Sequence, residues 1–184
     1  MKIKLGNKVM VSDPCYELGT WCQGVLENVL PGTYDCEVEY SDEGAWGTRV
    51  AAIEVTHTTC RAYGFESVDF EVGVDSGQAG IFDYEYYAKY HTGCDDVDDD
   101  WYDRVCDITL SEDSAGTIDD LGFVSSSGYG DGGYDCYVAR NKDGYIVAIR
   151  IEYIPEEDEY DEYDEYDEED EYDEEDEYEE DEEC

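Results

Sequence analysis

Residues 34–40 read Tyr-Asp-Cys-Glu-Val-Glu-Tyr, acidic at every second position and able to face a core at the others. A helix would scatter these side chains around its axis. A strand alternates them between two faces, which puts three carboxylates in water and leaves Tyr34, Cys36, Val38 and Tyr40 able to face a core. The same period recurs along the chain. Residues 49–55 put Ala51, Ile53 and Val55 on one face and Glu54 on the other, residues 69–74 alternate, and residues 145–154 align Val147, Ile149, Ile151 and Tyr153. Between two such runs lies Asn141-Lys142-Asp143-Gly144, whose Asp-Gly supplies the positive φ of a tight turn. Residues 134–140 and 145–154 are therefore expected to pair antiparallel.

Helix signals are fewer. Residues 17–30 can hold one short helix, stopped by Pro31-Gly32. Residues 84–90 follow Asp83, a natural N-cap, and end before Thr92-Gly93, and a turn of helix fits 99–105. Repeated strands, Gly-rich turns and two or three short helices predict a mainly β fold of the β-rich α+β kind. Its form is expected to be an antiparallel sandwich or a partly closed barrel.

Charge divides the chain. The 184 residues carry 53 Asp and Glu against 10 Lys and Arg, a net of -43. Residues 156–184 hold 23 acidic residues, five tyrosines and one cysteine, while every basic residue lies upstream. Two units are expected: a globular domain over 1–155 and a disordered Asp/Glu/Tyr tail over 156–184, too charged to bury a core. The balance argues against direct nucleic-acid binding, which needs clustered cations to displace counterions from phosphate. It argues equally against an anionic membrane surface.

Cysteines stand at 15, 22, 36, 60, 94, 106, 136 and 184, with no C-x-x-C pair, and His57 and His91 complete no zinc spacing. The first residues lack the apolar run of a signal peptide, and no stretch approaches a membrane span. A cytoplasmic protein with reduced, mostly buried thiols is expected.

Several local patterns invite a chemical reading. Residues 128–133 fit G-x-G-x-x-G, but a strand follows instead of a helix, so no helix N-terminus awaits a pyrophosphate and the glycines mark a bend. Ser76, between Asp75 and Gly77, lacks the glycine spacing of a nucleophile elbow; Asp75 and Ser76 suit turn-making hydrogen bonds. Asp96, Asp98, Asp100 and Asp107 occupy positions 1, 3, 5 and 12 of a calcium loop, with Trp101 where that loop needs glycine. Calcium or magnesium at this loop is the metal expectation, set against a plain acidic surface segment; no other cofactor is expected. Cys106 with His57 or His91 could pair a thiol with a base, although its apolar neighbours suit a buried thiol.

Four segments taken together resemble an uncharacterised bacterial and phage family, domain of unknown function 4241. They are Val11-Ser12-Asp13-Pro14; Pro31-Gly32-Thr33-Tyr34 with Arg49-Val50-Ala51-Ala52; Val74-Asp75-Ser76-Gly77 with Ile81-Phe82-Asp83; and residues 127–134 leading into the last hairpin. The resemblance covers most of residues 8–154 and implies a mostly β domain of no established activity. It leaves Asp13, Asp75, Asp83 and Asp131 at strand ends, where they would form an acidic cleft if those ends met.

The expected binding residues are Asp13, Asp75, Ser76, Gly77, Asp83, Gly130 and Asp131. The expected function is a cytoplasmic interaction protein (in the host cytoplasm if phage-encoded) whose acidic tail contacts a basic or nucleic-acid-binding protein, in part by imitating phosphate charge. The alternative is a divalent-metal-assisted hydrolase using Asp75, Asp83 and Asp131.

Overall fold

The computed structural model describes residues 1–91 and 98–155. Thr92-Gly93, Cys94, Asp96 and the whole 156–184 segment lie outside the described residues. The strands are β1 (Lys2–Leu5), β2 (Lys8–Ser12), β3 (Gly24–Glu27), β4 (Gly32–Asp42), β5 (Thr48–His57), β6 (Tyr63–Val74), β7 (Gln78–Asp83), β8 (Ala115–Ile118), β9 (Gly122–Ser126), β10 (Gly132–Arg140) and β11 (Ile146–Glu152). Helix α1 (Tyr84–Tyr90) follows β7 and α2 (Asp99–Thr109) precedes β8.

The strands form two antiparallel sheets, one of order β1-β4-β5-β11-β10-β6 and one of order β3-β2-β7-β9-β8. The barrel alternative does not apply, because the sheets stay separate. Ile3, Val11, Tyr34, Ile53, Ile81, Ile149 and Ile151 fill the space between them. A second core of Met10, Phe82, Tyr87, Trp101, Val105 and Val124 joins the other face of the second sheet to the helices. The protein is thus a sandwich with a third, helical layer. Strand β7 is buried on both faces, which is why its run Gln-Ala-Gly-Ile-Phe does not alternate. Among the described residues no helix is long and apolar enough to cross a membrane.

Local chemistry sets several elements where expected. The Asp83 carboxylate accepts from Tyr86 N at 3.1 Å and starts α1. The Asn141 side chain accepts from Asp143 N and Tyr145 N at 2.9 and 3.0 Å, and Gly144 takes φ +86°, closing the β10–β11 hairpin. Strand β5 differs in phase from its reading. A bulge moves the pairing from Glu39 opposite Ala52 to Tyr40 opposite Val50, so Val50 rather than Ala51 joins Ile53 and Val55 in the core.

The helix expected over 17–30 does not form. Residues 24–27 instead pair with β2, from Lys8 opposite Glu27 to Val11 opposite Gly24. The preceding loop is held by Gln23, whose Oε1 accepts from Gly19 N at 3.0 Å and whose Nε2 donates to Ser12 Oγ at 3.0 Å. Ladder bonds along β2 outweigh the weak helical preference of a short segment.

Candidate functional site: an acidic, aromatic-walled groove

Where β2 ends, the chain turns through Asp13, which is fully buried. Its Oδ2 accepts from Asp75 N at 2.9 Å and Ser76 N at 2.7 Å. Its Oδ1 accepts from Cys15 N at 2.8 Å and Ser76 Oγ at 2.7 Å. A buried carboxylate requires compensation, and here four N–H and O–H dipoles supply it. Asp13 thereby latches the end of β2 to the β6–β7 turn, which Gly77 completes at φ +75°. Ser76 spends its hydroxyl proton on this latch, which accounts for the serine without a nucleophilic role.

The segment after Asp13 is pinned as firmly. The Tyr87 hydroxyl lies 2.5 Å from the Tyr16 carbonyl oxygen and 3.1 Å from that of Asp13, and receives Gln23 Nε2 at 3.2 Å. His91 stacks on Tyr87 at 3.7 Å, with its ring nitrogens 2.6 Å from Tyr87 O and 3.0 Å from Pro14 O. His57 lies at the far end of β5 against Tyr34. Each histidine thus has its own surroundings, while the Cys106 thiol receives Gln78 Nε2 at 3.5 Å. The thiol–base pairing considered for Cys106 is not assembled among these contacts. Burial and the Asp13 charge push the Cys15 thiol up to about 12, which keeps it protonated at neutral pH.

Rigidly held, the 16–22 loop forms one wall of a groove of about 610 Å³. Tyr16, Trp21 and Cys22 face β6 and the start of β10 across it. Gly73 lets the wall approach: a Cβ there would lie 2.6 Å from Cys22 Cβ, and Gly73 N donates to Cys22 O at 3.1 Å. Trp21 is 93% exposed, so its indole faces open solvent. Phe70 adds a second aromatic surface. Burial first, then interaction with Cys22 and Asp75, hold the Tyr16 phenol well above its ordinary range, so it stays a neutral donor.

Four carboxylates line this groove, Asp69, Glu71, Asp75 and Asp131, and no lining residue is basic. All ten Lys and Arg lie among the described residues, and their ion pairs go to Asp35, Asp119, Glu66, Glu39, Glu54 and Glu152. The groove's charge is therefore uncompensated within the described chain. A larger hollow near Pro155 differs in this respect, because its Glu39 is held by Arg150 through two bonds of 2.6 Å.

The expected site residues divide accordingly. Asp75 and Asp131 line the groove, while Asp13, Ser76 and Gly77 build the turn beneath it. Gly130 closes the adjoining bend, its carbonyl accepting from Ser127 Oγ and Tyr134 Oη at 2.7 Å each. Asp83 lies at the opposite end of six-residue β7, about 20 Å of strand from Asp75, and accepts from Gly6 N at 2.8 Å. One metal centre cannot be shared across that distance, so the Asp75, Asp83 and Asp131 ligand set is not brought together. The calcium spacing is also resolved differently. Asp98 caps α2 through Trp101 N at 2.9 Å, and Asp100 and Asp107 sit two turns apart on that helix, about 10.5 Å along its axis. Helical backbone separates carboxylates that a loop would gather; Asp96 lies outside the described residues. Among the described residues no three His, Cys, Asp or Glu side chains converge as a metal site.

Sequence reading missed Tyr16, Trp21, Asp69, Phe70 and Glu71. The signal available was Gly73, a glycine within a strand, which marks a close backbone approach. Nothing local identifies Cys22 as the residue that makes it.

Fold and groove together define a three-layer antiparallel β protein with an acidic, aromatic-walled cleft at one end of its sandwich. The chain belongs to the family described as protein of unknown function, DUF4241, whose model matches residues 5–151. No curated protein and no solved structure matches it significantly.

Proposed function

We propose that this protein is a non-enzymatic interaction module for a basic protein, and that the groove between the 16–22 loop and β6 receives the partner's cationic side chains. The observation that carries this reading is the uncompensated set Asp69, Glu71, Asp75 and Asp131 beside the open indole of Trp21. A guanidinium or ammonium gains both from carboxylates and from an aromatic face, about 0.5–2 kcal/mol for the latter. The 23 acidic residues of 156–184 add long-range attraction that speeds encounter and imitates a phosphate backbone for a nucleic-acid-binding partner.

The test is fluorescence anisotropy of the full chain with a dye-labelled peptide, acetyl-(Arg-Thr)4-amide. Binding is expected to weaken steeply as salt rises to about 0.5 M. The Asp69→Asn/Glu71→Gln pair is expected to weaken it roughly tenfold and Trp21→Ala about threefold to tenfold. Unchanged affinity in these variants would show that the acidic tail alone holds the peptide and would refute the groove.

A further inference from the structure

Strand β6 is an outer strand of the six-stranded sheet, and with twelve residues it is the longest of the described strands. One edge pairs with β10. On the other, Gly73 N–H points away from β10 to Cys22 O, and antiparallel alternation turns Glu71 N–H the same way. Below that point the outward edge of Tyr63 to Glu71 has no backbone partner among the described residues. Exposed edges are blunted by proline, lysine or bulges; β6 has neither proline nor lysine, while its ladder with β10 shifts register between Glu71 and Ser67 and again between Phe65 and Tyr63, leaving Glu71 to Val74 as its longest regular stretch. It carries Glu66, Asp69 and Glu71 instead, with Tyr63 and Phe65 exposed at its far end.

We infer that the free edge of β6 accepts an extended basic peptide as a seventh strand of the first sheet, its alternate side chains entering the groove. This rests on the groove reading and adds the mode of recognition. Backbone bonds to β6 would supply affinity, and Asp69 and Glu71, two residues apart on β6, with Asp75 in the turn beyond, would select Arg or Lys at matching spacing. Charge also decides between occupants. A second copy adding edge to edge would set Asp69 and Glu71 against their own equivalents, and like charges facing across a ladder repel. The 156–184 segment is excluded by the same repulsion, since it contains no basic residue.

The experiment compares acetyl-(Arg-Thr)4-amide with the same sequence N-methylated at every residue, which keeps the charge and removes the donors. Both are titrated into the full chain, and amide exchange is read by NMR. Strand addition predicts roughly tenfold weaker binding of the methylated peptide, and slowed exchange at residues 63–71 with the parent peptide. Equal binding of both, without protection of β6, would overturn strand addition and leave the groove reading intact. Failure of both to bind would overturn the two together. Protection of β6 that grows with protein concentration and needs no peptide would assign the edge to a second copy and overturn the inference.

Discussion

Ser76 gives both its hydroxyl and its backbone N–H to the Asp13 carboxylate, each at 2.7 Å, across 63 residues of sequence. This contact, with the bonds from Asp75 N and Cys15 N, joins the second sheet's β2 to the turn leaving the first sheet. It also places the wall and the floor of the groove in one rigid corner.

Asp13→Ala leaves three backbone N–H groups without their acceptor and is expected to cost about 3–5 kcal/mol. Ser76→Ala removes one hydroxyl bond and is expected to cost about 1–2 kcal/mol. Urea unfolding with a double-mutant cycle measures both, and additivity of the two changes would contradict direct coupling.

Gly73→Ala places a methyl 2.6 Å from Cys22 Cβ while keeping an ordinary extended backbone. The 16–22 loop must move, so overpacking is expected to cost about 1–3 kcal/mol. Binding of the arginine peptide should fall in the same variant. A crystal structure with the loop unmoved and affinity retained would count against the wall's role.

Alkaline conditions should weaken the fold through its thiols. Burial pushes Cys15, Cys36 and Cys136 each up to about 12, against about 8.5 in an unfolded chain. The folded state holds protons that the unfolded state releases. Stability from this source is full below about pH 8.5 and declines as pH rises toward the folded value. Urea midpoints at pH 7 and pH 10, together with slow alkylation of these three cysteines in the native protein, check it.

Acid acts through a different pair. The hydrogen bonds from Arg150 hold Glu39 below the usual carboxylate range. Its contribution is present above the unfolded value, about 4.3, and is lost as pH falls through the depressed folded one. Because the Glu39 side chain is 50% exposed, solvent screening keeps the effect under about 1 kcal/mol. Arg150→Met should flatten this part of the stability-pH curve.

Asp83→Ala removes the acceptor of Tyr86 N at the start of α1 and that of Gly6 N, and is expected to cost about 1–2 kcal/mol. The loss should appear as faster amide exchange in residues 84–90, with binding at the groove unchanged.

What was legible in the sequence was local. Alternation over 34–40 specified a strand because side chains in extended backbone must face opposite ways. The Asp83 cap specified where α1 begins, and Asn141 to Gly144 specified a hairpin, because these devices act within a few residues. Residues 17–30 depart from their helical expectation for the complementary reason: the pairing that makes β3 a strand belongs to β2, and nothing within the segment encodes it.

The groove was decided by strand order. Asp75, Asp83 and Asp131 are alike as acidic residues at strand ends, yet β7 carries Asp83 to the far end of the sheet while β6 beside β10 brings Asp75 and Asp131 together. The charge excess and the alternation were determined by the sequence itself, since composition and backbone geometry require no partner. Which carboxylates share a cleft, and that Trp21 borders it, were decided by long-range pairing, because burial and proximity belong to the assembled sheets and not to any one segment.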